Sequence, residues 1–98
     1  MKTIIIIFML LAIPVVSFAQ NKKDIQNYID NGIAYGQKDQ YSKAISEFNN
    51  VIKIDPNNAD AYNNRGLANR HKGNFDQALS DYSKDIKVNP SRFDAYNN

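Results

Sequence analysis

Hydrophobic residues follow two different patterns along this chain. From residue 3 to residue 19 the sequence carries no charged side chain and is dominated by one unbroken apolar run. After Gln20 the sequence is polar, and apolar residues recur every three or four positions, as in the series Ala44, Phe48 and Val51. That spacing places them on one face of a helix. The pattern therefore predicts an apolar N-terminal segment followed by amphipathic helices.

The apolar segment, residues 1–19, has the three-part organisation of a secretory signal peptide. Lys2 supplies a positive charge, the apolar run follows, and small residues stand at Ser17 and Ala19. The run is shorter than the ~20 apolar residues that a spanning helix needs. We therefore expect cleavage between Ala19 and Gln20 and export of the chain to the periplasm or the extracellular medium. The alternative is a retained N-terminal membrane anchor.

After this segment the sequence repeats itself with a period of 34 residues. Residues 60–64 read Asp-Ala-Tyr-Asn-Asn and recur unchanged as residues 94–98. A period of this length is typical of helical repeat architectures. The sequence therefore predicts a short tail at residues 20–24, a first repeat at residues 25–58, a second repeat at residues 59–92, and the start of a third, truncated repeat at residues 93–98.

Each repeat is predicted to contain two helices separated by turns. Turn-forming residues stand at Asp39 and Gly73 inside the repeats, and at Pro56 and Pro90 where each repeat ends. Proline ends a helix because it disfavours the helical conformation in the residue before it. These breaks predict helices at about residues 24–38, 41–54, 59–72 and 75–88.

A glycine stands in the middle of the first helix of each repeat, Gly32 in the first repeat and Gly66 in the second. Glycine in a helix costs about 1 kcal/mol relative to alanine, so another interaction must offset the cost at Gly32 and Gly66. We expect these positions, together with the small Ala44 and Ala78, to let the two helices of a repeat pack closely. Large aromatic residues would then fill the space on either side.

These residues resemble the tetratricopeptide repeat, a 34-residue helix-turn-helix unit with glycine, alanine, aromatic residues and proline at fixed positions. The resemblance implies an all-α fold, in which tandem helix-turn-helix repeats form a short right-handed α-solenoid. It also implies a non-enzymatic scaffold that binds a peptide or protein segment in a concave groove. The matching residues are Tyr28, Gly32, Tyr35, Ala44, Phe48 and Pro56 in the first repeat, and Tyr62, Gly66, Ala78, Tyr82 and Pro90 in the second.

In this family the first helix of each repeat lines the groove. Carried over to this sequence, that rule gives a surface that is apolar at one end and polar at the other. The residues expected to face the groove are Gln26, Ile29, Ile33, Gln37, Asp60, Asn63, Leu67, Arg70, His71 and Asn97.

Two residues of the second repeat depart from the family pattern. Asn69 stands where an aromatic residue is usual, and Asp85 stands where alanine is usual. Because a buried, unpaired carboxylate is costly, Asp85 must be solvated, paired or protonated, and we expect Arg65 to be its partner. Asp81, one helical turn before Asp85, suggests a solvent-exposed face of like charges rather than a catalytic carboxylate pair.

Composition and charge narrow the range of functions. The chain has 98 residues, a formal net charge of +2 and no cysteine. The weak charge argues against binding to nucleic acid, and the lack of cysteine removes disulfides and thiolate ligands. A single histidine, His71, gives no zinc ligand set and no evident catalytic base and nucleophile. We therefore expect no catalytic residue, no cofactor, no bound metal and no small-molecule substrate.

A competing hypothesis concerns the end of the chain. Repeat proteins normally need at least three repeats and a polar capping helix, and here the third repeat stops at Asn98. The chain would then be the N-terminal part of a larger protein whose assembly or enzymatic function lies beyond this residue. A further hypothesis is self-association through the uncapped C-terminal face.

Overall fold

The computed structural model describes the backbone of residues 2–92 and the side chains of residues 20–92. Four helices follow one another in this part of the chain: α1 (Lys2–Gln37), α2 (Tyr41–Ile54), α3 (Ala59–Lys72) and α4 (Phe75–Val88). The backbone is helical again at residues 90–92. The predicted bounds of α2, α3 and α4 are confirmed, and α1 ends one residue earlier than predicted.

Helix α1 begins much earlier than predicted. A tail was expected at residues 20–24, whereas the helix is continuous from Lys2. Residues 20–24 contain neither glycine nor proline, and the amide of Gln20 donates a hydrogen bond to the carboxylate of Asp24 one turn later, at 3.0 Å. A pair with this spacing stabilises the helical conformation, so a polar stretch can continue the helix.

Two predictions concern parts of the chain outside this description. The signal peptide falls on residues 1–19, whose side chains are not described, and the third repeat falls on residues 93–98. Among the helices formed by the described residues, none combines the length and the apolar character needed to cross a membrane.

The helices pack in the order of the sequence. Helix α1 packs on α2, α2 on α3, and α3 on α4. The centre of this stack is a buried cluster of Ala44, Phe48 and Ala68, against which Tyr41 and Ile45 also pack. Each helix pair therefore contacts its neighbour along the stack, which is the organisation of a helical-repeat solenoid. The predicted all-α repeat fold is confirmed.

Gly32 and Gly66 lie at close contacts between paired helices. A Cβ atom added to Gly32 would lie 2.5 Å from Cε1 of Phe48, and one added to Gly66 would lie 3.0 Å from Cε1 of Tyr82. The second distance is at the limit of normal contact, and the first is far below it. The prediction that these glycines allow close packing is confirmed, and the atoms that approach them belong to the ring of Phe48 on α2 and to the ring of Tyr82 and Cβ of Asp81 on α4.

The turn inside each repeat places one residue in the left-handed backbone conformation. That residue is Asp39 in the first repeat, with φ 59°, and Gly73 in the second, with φ 85°. The N–H of Gly73 closes α3 by donating to the carbonyls of Arg70 and Asn69. In the first repeat, the carboxylate of Asp39 accepts a hydrogen bond from the hydroxyl of Tyr41 at 2.8 Å. This contact holds Tyr41 at the start of α2.

Asp81 is buried, which contradicts the expected solvent-exposed face. Its side chain is 1% exposed. Arg65 donates to it from Nε at 3.1 and 3.2 Å and from Nη2 at 2.7 Å. The amides of Asn69 and Gln77 donate to the same carboxylate at 3.2 and 3.0 Å. Arg65 also donates from Nη1 to Asn49 at 2.9 Å, so this one side chain joins α2, α3 and α4.

Asp85 is also buried, and the expected pair with Arg65 is wrong. Its carboxylate accepts a hydrogen bond from Asn63 at 2.9 Å and a longer one from Arg92 at 3.5 Å. The two carboxylates have different partners because they lie at different positions along α4. Asp81 faces Arg65 on α3, whereas Asp85 lies one turn further on, beside Asn63 and the start of the next helical segment. Both carboxylates therefore lie on the buried face of α4.

A second face of α4 is exposed to solvent. Phe75 and Leu79 are 64% and 65% exposed, although their counterparts in the first repeat, Tyr41 and Ile45, pack against the core. Tyr41 is stacked on His71 of α3, whereas the described residues place no further helix against Phe75 and Leu79. Self-association through this face of α4 stays a prediction.

Candidate functional site

A cleft of about 220 Å³ lies between α1 and α3, with α2 as its floor. Ala44 and Phe48 of α2 line the floor, and both are buried. Ile33 on α1 and Leu67 on α3 line the walls, and they remain 40% and 39% exposed. Because Ile33 and Leu67 occupy the same position in the two repeats, the repeat itself brings two aliphatic side chains to one cleft. We call this space the α1/α3 cleft.

One end of the α1/α3 cleft is fixed by a stacked pair of rings. The rings of Tyr41 and His71 are parallel to within 3°, with their centroids 4.8 Å apart. The hydrogen bond from the Tyr41 hydroxyl to Asp39, together with desolvation and the negative charge of Asp39, raises the pKa of Tyr41 above its ordinary value. Lys72, next to His71, donates to Ser42 at 2.9 Å. The end of α3 is therefore held against the start of α2.

A second pocket, of about 400 Å³, lies between α3, α4 and the segment at residues 90–92. Its lining is more polar than that of the α1/α3 cleft and includes Asn63, Arg70, Asp85 and Arg92. Leu67 lines both pockets, so they form one continuous surface along α3. This surface changes from apolar at the α1/α3 cleft to charged at the second pocket.

Six of the ten residues predicted to face the groove line one of these two pockets. Those in the α1/α3 cleft are Ile33, Gln37, Leu67 and His71, and those in the second pocket are Asn63, Leu67 and Arg70.

Three of the other four predicted groove residues line neither pocket. Asp60 forms an ion pair with Arg92 at 2.6 Å. Gln26 donates to Asp30 on its own helix at 2.9 Å, and neither Gln26 nor Ile29 lines the two pockets. Asn97 lies outside the described residues.

Several residues that line the α1/α3 cleft were not predicted to face the groove, among them Tyr41 and Gly36. Tyr41 was missed because only the first helix of each repeat was assigned to the groove, and Tyr41 begins the second helix. Gly36 was missed because a glycine offers no side chain for binding. The adjacency of Tyr41 to the turn, and the presence of Arg70 at the position of Gly36 in the second repeat, were the signals available. Within the described residues, no group of three or more His, Cys, Asp or Glu residues could hold a metal ion.

Stacked helix pairs with a cleft between their first helices define a helical-repeat protein. Two family models agree with this class: the TPR repeat model matches residues 32–72, and the tetratricopeptide repeat model matches residues 59–92. Residues 32–92 therefore consist of tetratricopeptide repeats, which typically act as protein-binding scaffolds and are generally non-enzymatic. No curated protein gives a significant match to the chain.

Proposed function

We propose that this protein is a non-enzymatic scaffold that binds a peptide, or a segment of a partner protein, along α1 and α3. The observation that carries the proposal is the α1/α3 cleft, where Ile33 and Leu67 leave apolar surface exposed above a buried floor. Apolar side chains in a preformed concave site favour binding because a ligand removes their surface from water. The polar second pocket extends this surface and would contact the neighbouring part of the same segment.

The proposal is tested with peptides selected from a random display library on the full chain. Affinity is then measured by fluorescence anisotropy for a Leu67→Arg variant. We expect binding to weaken about tenfold, because the ligand would then have to cover a charged side chain instead of the exposed apolar surface of leucine.

Leu79 provides a matched control for this measurement. It is also an exposed leucine, but it lies on α4 away from both pockets. A Leu79→Arg variant should bind the same peptides within about twofold of the unchanged protein. Selection of no peptide, or equal losses in the two variants, would contradict the proposed function.

We also propose that residues 1–19 direct export and are removed, so that the chain acts in the periplasm or outside the cell. Support comes from the charged start, the apolar run and the small residues before Gln20. The test is the intact mass of the full chain after expression in a secreting bacterial host, measured on the envelope and medium fractions. We expect a product that begins at Gln20, whereas a full-length mass in the membrane fraction would support a retained anchor.

A further inference from the structure

Gly36 stands in α1 without the packing contact that explains the other two helical glycines. A Cβ atom added to Gly32 or Gly66 would meet an aromatic ring, whereas one added to Gly36 would meet no atom within 4 Å. Gly36 therefore brings the helix the usual disadvantage of glycine, up to about 1 kcal/mol relative to alanine, with no compensation from close packing. What Gly36 does provide is space, because it lines the α1/α3 cleft.

The counterpart of Gly36 in the second repeat shows what a side chain does at this position. That residue, 34 positions later, is Arg70. Arg70 lines the second pocket and gives it a positive charge. The same site in the repeat is thus occupied by a long cation in one pocket and left empty in the other. This difference separates an apolar cleft from a charged one.

The chemistry of the α1/α3 cleft specifies its occupant. No Asp, Glu, Lys or Arg lines the cleft, while Ile33, Leu67 and Phe48 do. A charged group placed there would lose hydration without gaining an opposite charge. The volume of about 220 Å³ lies below the ~300–1,000 Å³ typical of sites for whole small molecules. It is suited to one side chain of a larger ligand.

We propose that Gly36 determines the specificity of this cleft, and that the space it leaves takes one large apolar side chain, aromatic or branched aliphatic, from the bound segment. The proposal rests on the proposed function, since it names the anchor residue of the same ligand. An aromatic anchor would lie beside the stacked rings of Tyr41 and His71 and above Phe48. Single apolar anchors that fill a pocket commonly supply much of the affinity of an interface.

The anchor is tested with blocked amino acids, which need no knowledge of the natural partner. N-acetyl-phenylalaninamide, N-acetyl-leucinamide and N-acetyl-lysinamide are titrated separately into the isotope-labelled full chain, and backbone amide shifts are followed by NMR. We expect saturable shifts at Gly32, Gly36 and Leu67 with the first two probes. The lysine probe should bind about fivefold more weakly or not at all.

Substitutions at Gly36 supply the decisive comparison. Gly36→Leu fills the cleft and should weaken the phenylalanine probe about tenfold. Gly36→Arg introduces the residue found at this position in the second repeat and should also weaken the phenylalanine probe about tenfold. This second variant allows the test if the leucine variant is poorly folded. Leu79→Arg should leave the titration unchanged. Equal binding of the lysine probe, or undiminished binding by both folded Gly36 variants, would overturn the proposal.

The outcomes separate this inference from the function on which it rests. If display selection yields binding peptides whose affinity is insensitive to Gly36→Leu, the scaffold function stands and the anchor is wrong. If the apolar probes bind as expected but no peptide is selected, the cleft is specific and the scaffold function fails.

Discussion

Replacing Arg65 with methionine is expected to lower the free energy of unfolding by about 3–5 kcal/mol. The substitution keeps most of the length of the side chain but leaves Asp81 as a buried charge without its cation. The Asp81 side chain is 1% exposed, so water cannot replace the lost interactions without a rearrangement of α3 and α4. The measurement is urea denaturation of the full chain, followed by far-ultraviolet circular dichroism.

Arg70 serves as the matched control, because it is an exposed arginine on the same helix. Arg70→Met should change the free energy of unfolding by no more than about 0.5 kcal/mol. In the Arg65→Met background, a further Asp81→Asn change should restore part of the lost stability, since it removes the unpaired charge. Similar losses for the two arginine variants would show that the Arg65 to Asp81 pair is not a major source of stability.

Replacing Gly32 with alanine is expected to lower the free energy of unfolding by about 2 kcal/mol. The new methyl group would lie 2.5 Å from the ring of Phe48. Phe48 is only 2% exposed and belongs to the buried cluster with Ala44 and Ala68, so its ring can yield only by giving up packed contacts or by separating α1 from α2. This cost exceeds the helix propensity gained by alanine.

The same substitution at Gly36 should have the opposite sign. Its Cβ would meet no neighbour, so Gly36→Ala should be neutral or stabilise the protein by up to about 1 kcal/mol. Gly66→Ala should fall between the two, since its closest contact would be 3.0 Å. Chemical denaturation of the three variants under the same conditions gives the comparison. A loss at Gly36 equal to that at Gly32 would refute the packing explanation.

The repeat period made most of the fold predictable from the sequence. Once residues 59–92 are aligned with residues 25–58, the turns at Asp39 and Gly73 and the prolines at Pro56 and Pro90 leave little freedom in the bounds of α2, α3 and α4. The start of α1 was missed because no repeat precedes it for comparison. Only the local polar pair Gln20 and Asp24 indicates that the helix extends there.

The buried charges could not be predicted in the same way. The periodicity of α4 places Ala78, Asp81 and Asp85 on one face, but a carboxylate on an apolar face is read as an interruption of the pattern. The burial of such a carboxylate depends on hydrogen-bond donors from α3. Which donor pairs with which carboxylate is decided by how far α3 and α4 are shifted along each other, and the spacing of residues within one helix does not show this shift. Arg65 and Asn69 therefore donate hydrogen bonds to Asp81, and Asn63 donates to Asp85.

The candidate site was partly predictable for a related reason. Ile33 and Leu67 share one position of the repeat, so their arrival at a single cleft follows from the stacking of two equal units. The contribution of Gly36 does not follow from the stacking, because it depends on a side chain that the first repeat lacks at this position and the second repeat carries. Comparing the two repeats position by position reveals it.

The contacts of Arg65 have a consequence for how the protein loses its structure. In a linear array of repeats, stability has one part within each repeat and another at the junction between neighbours. Arg65 contributes to both, through Asp81 in its own repeat and through Asn49 in the preceding one. Melting of α4 would therefore weaken the junction as well, and the two repeats should unfold as one cooperative unit. A segment bound in the α1/α3 cleft would contact both repeats across that same junction. Its binding free energy would therefore add to the stability that holds the two repeats together.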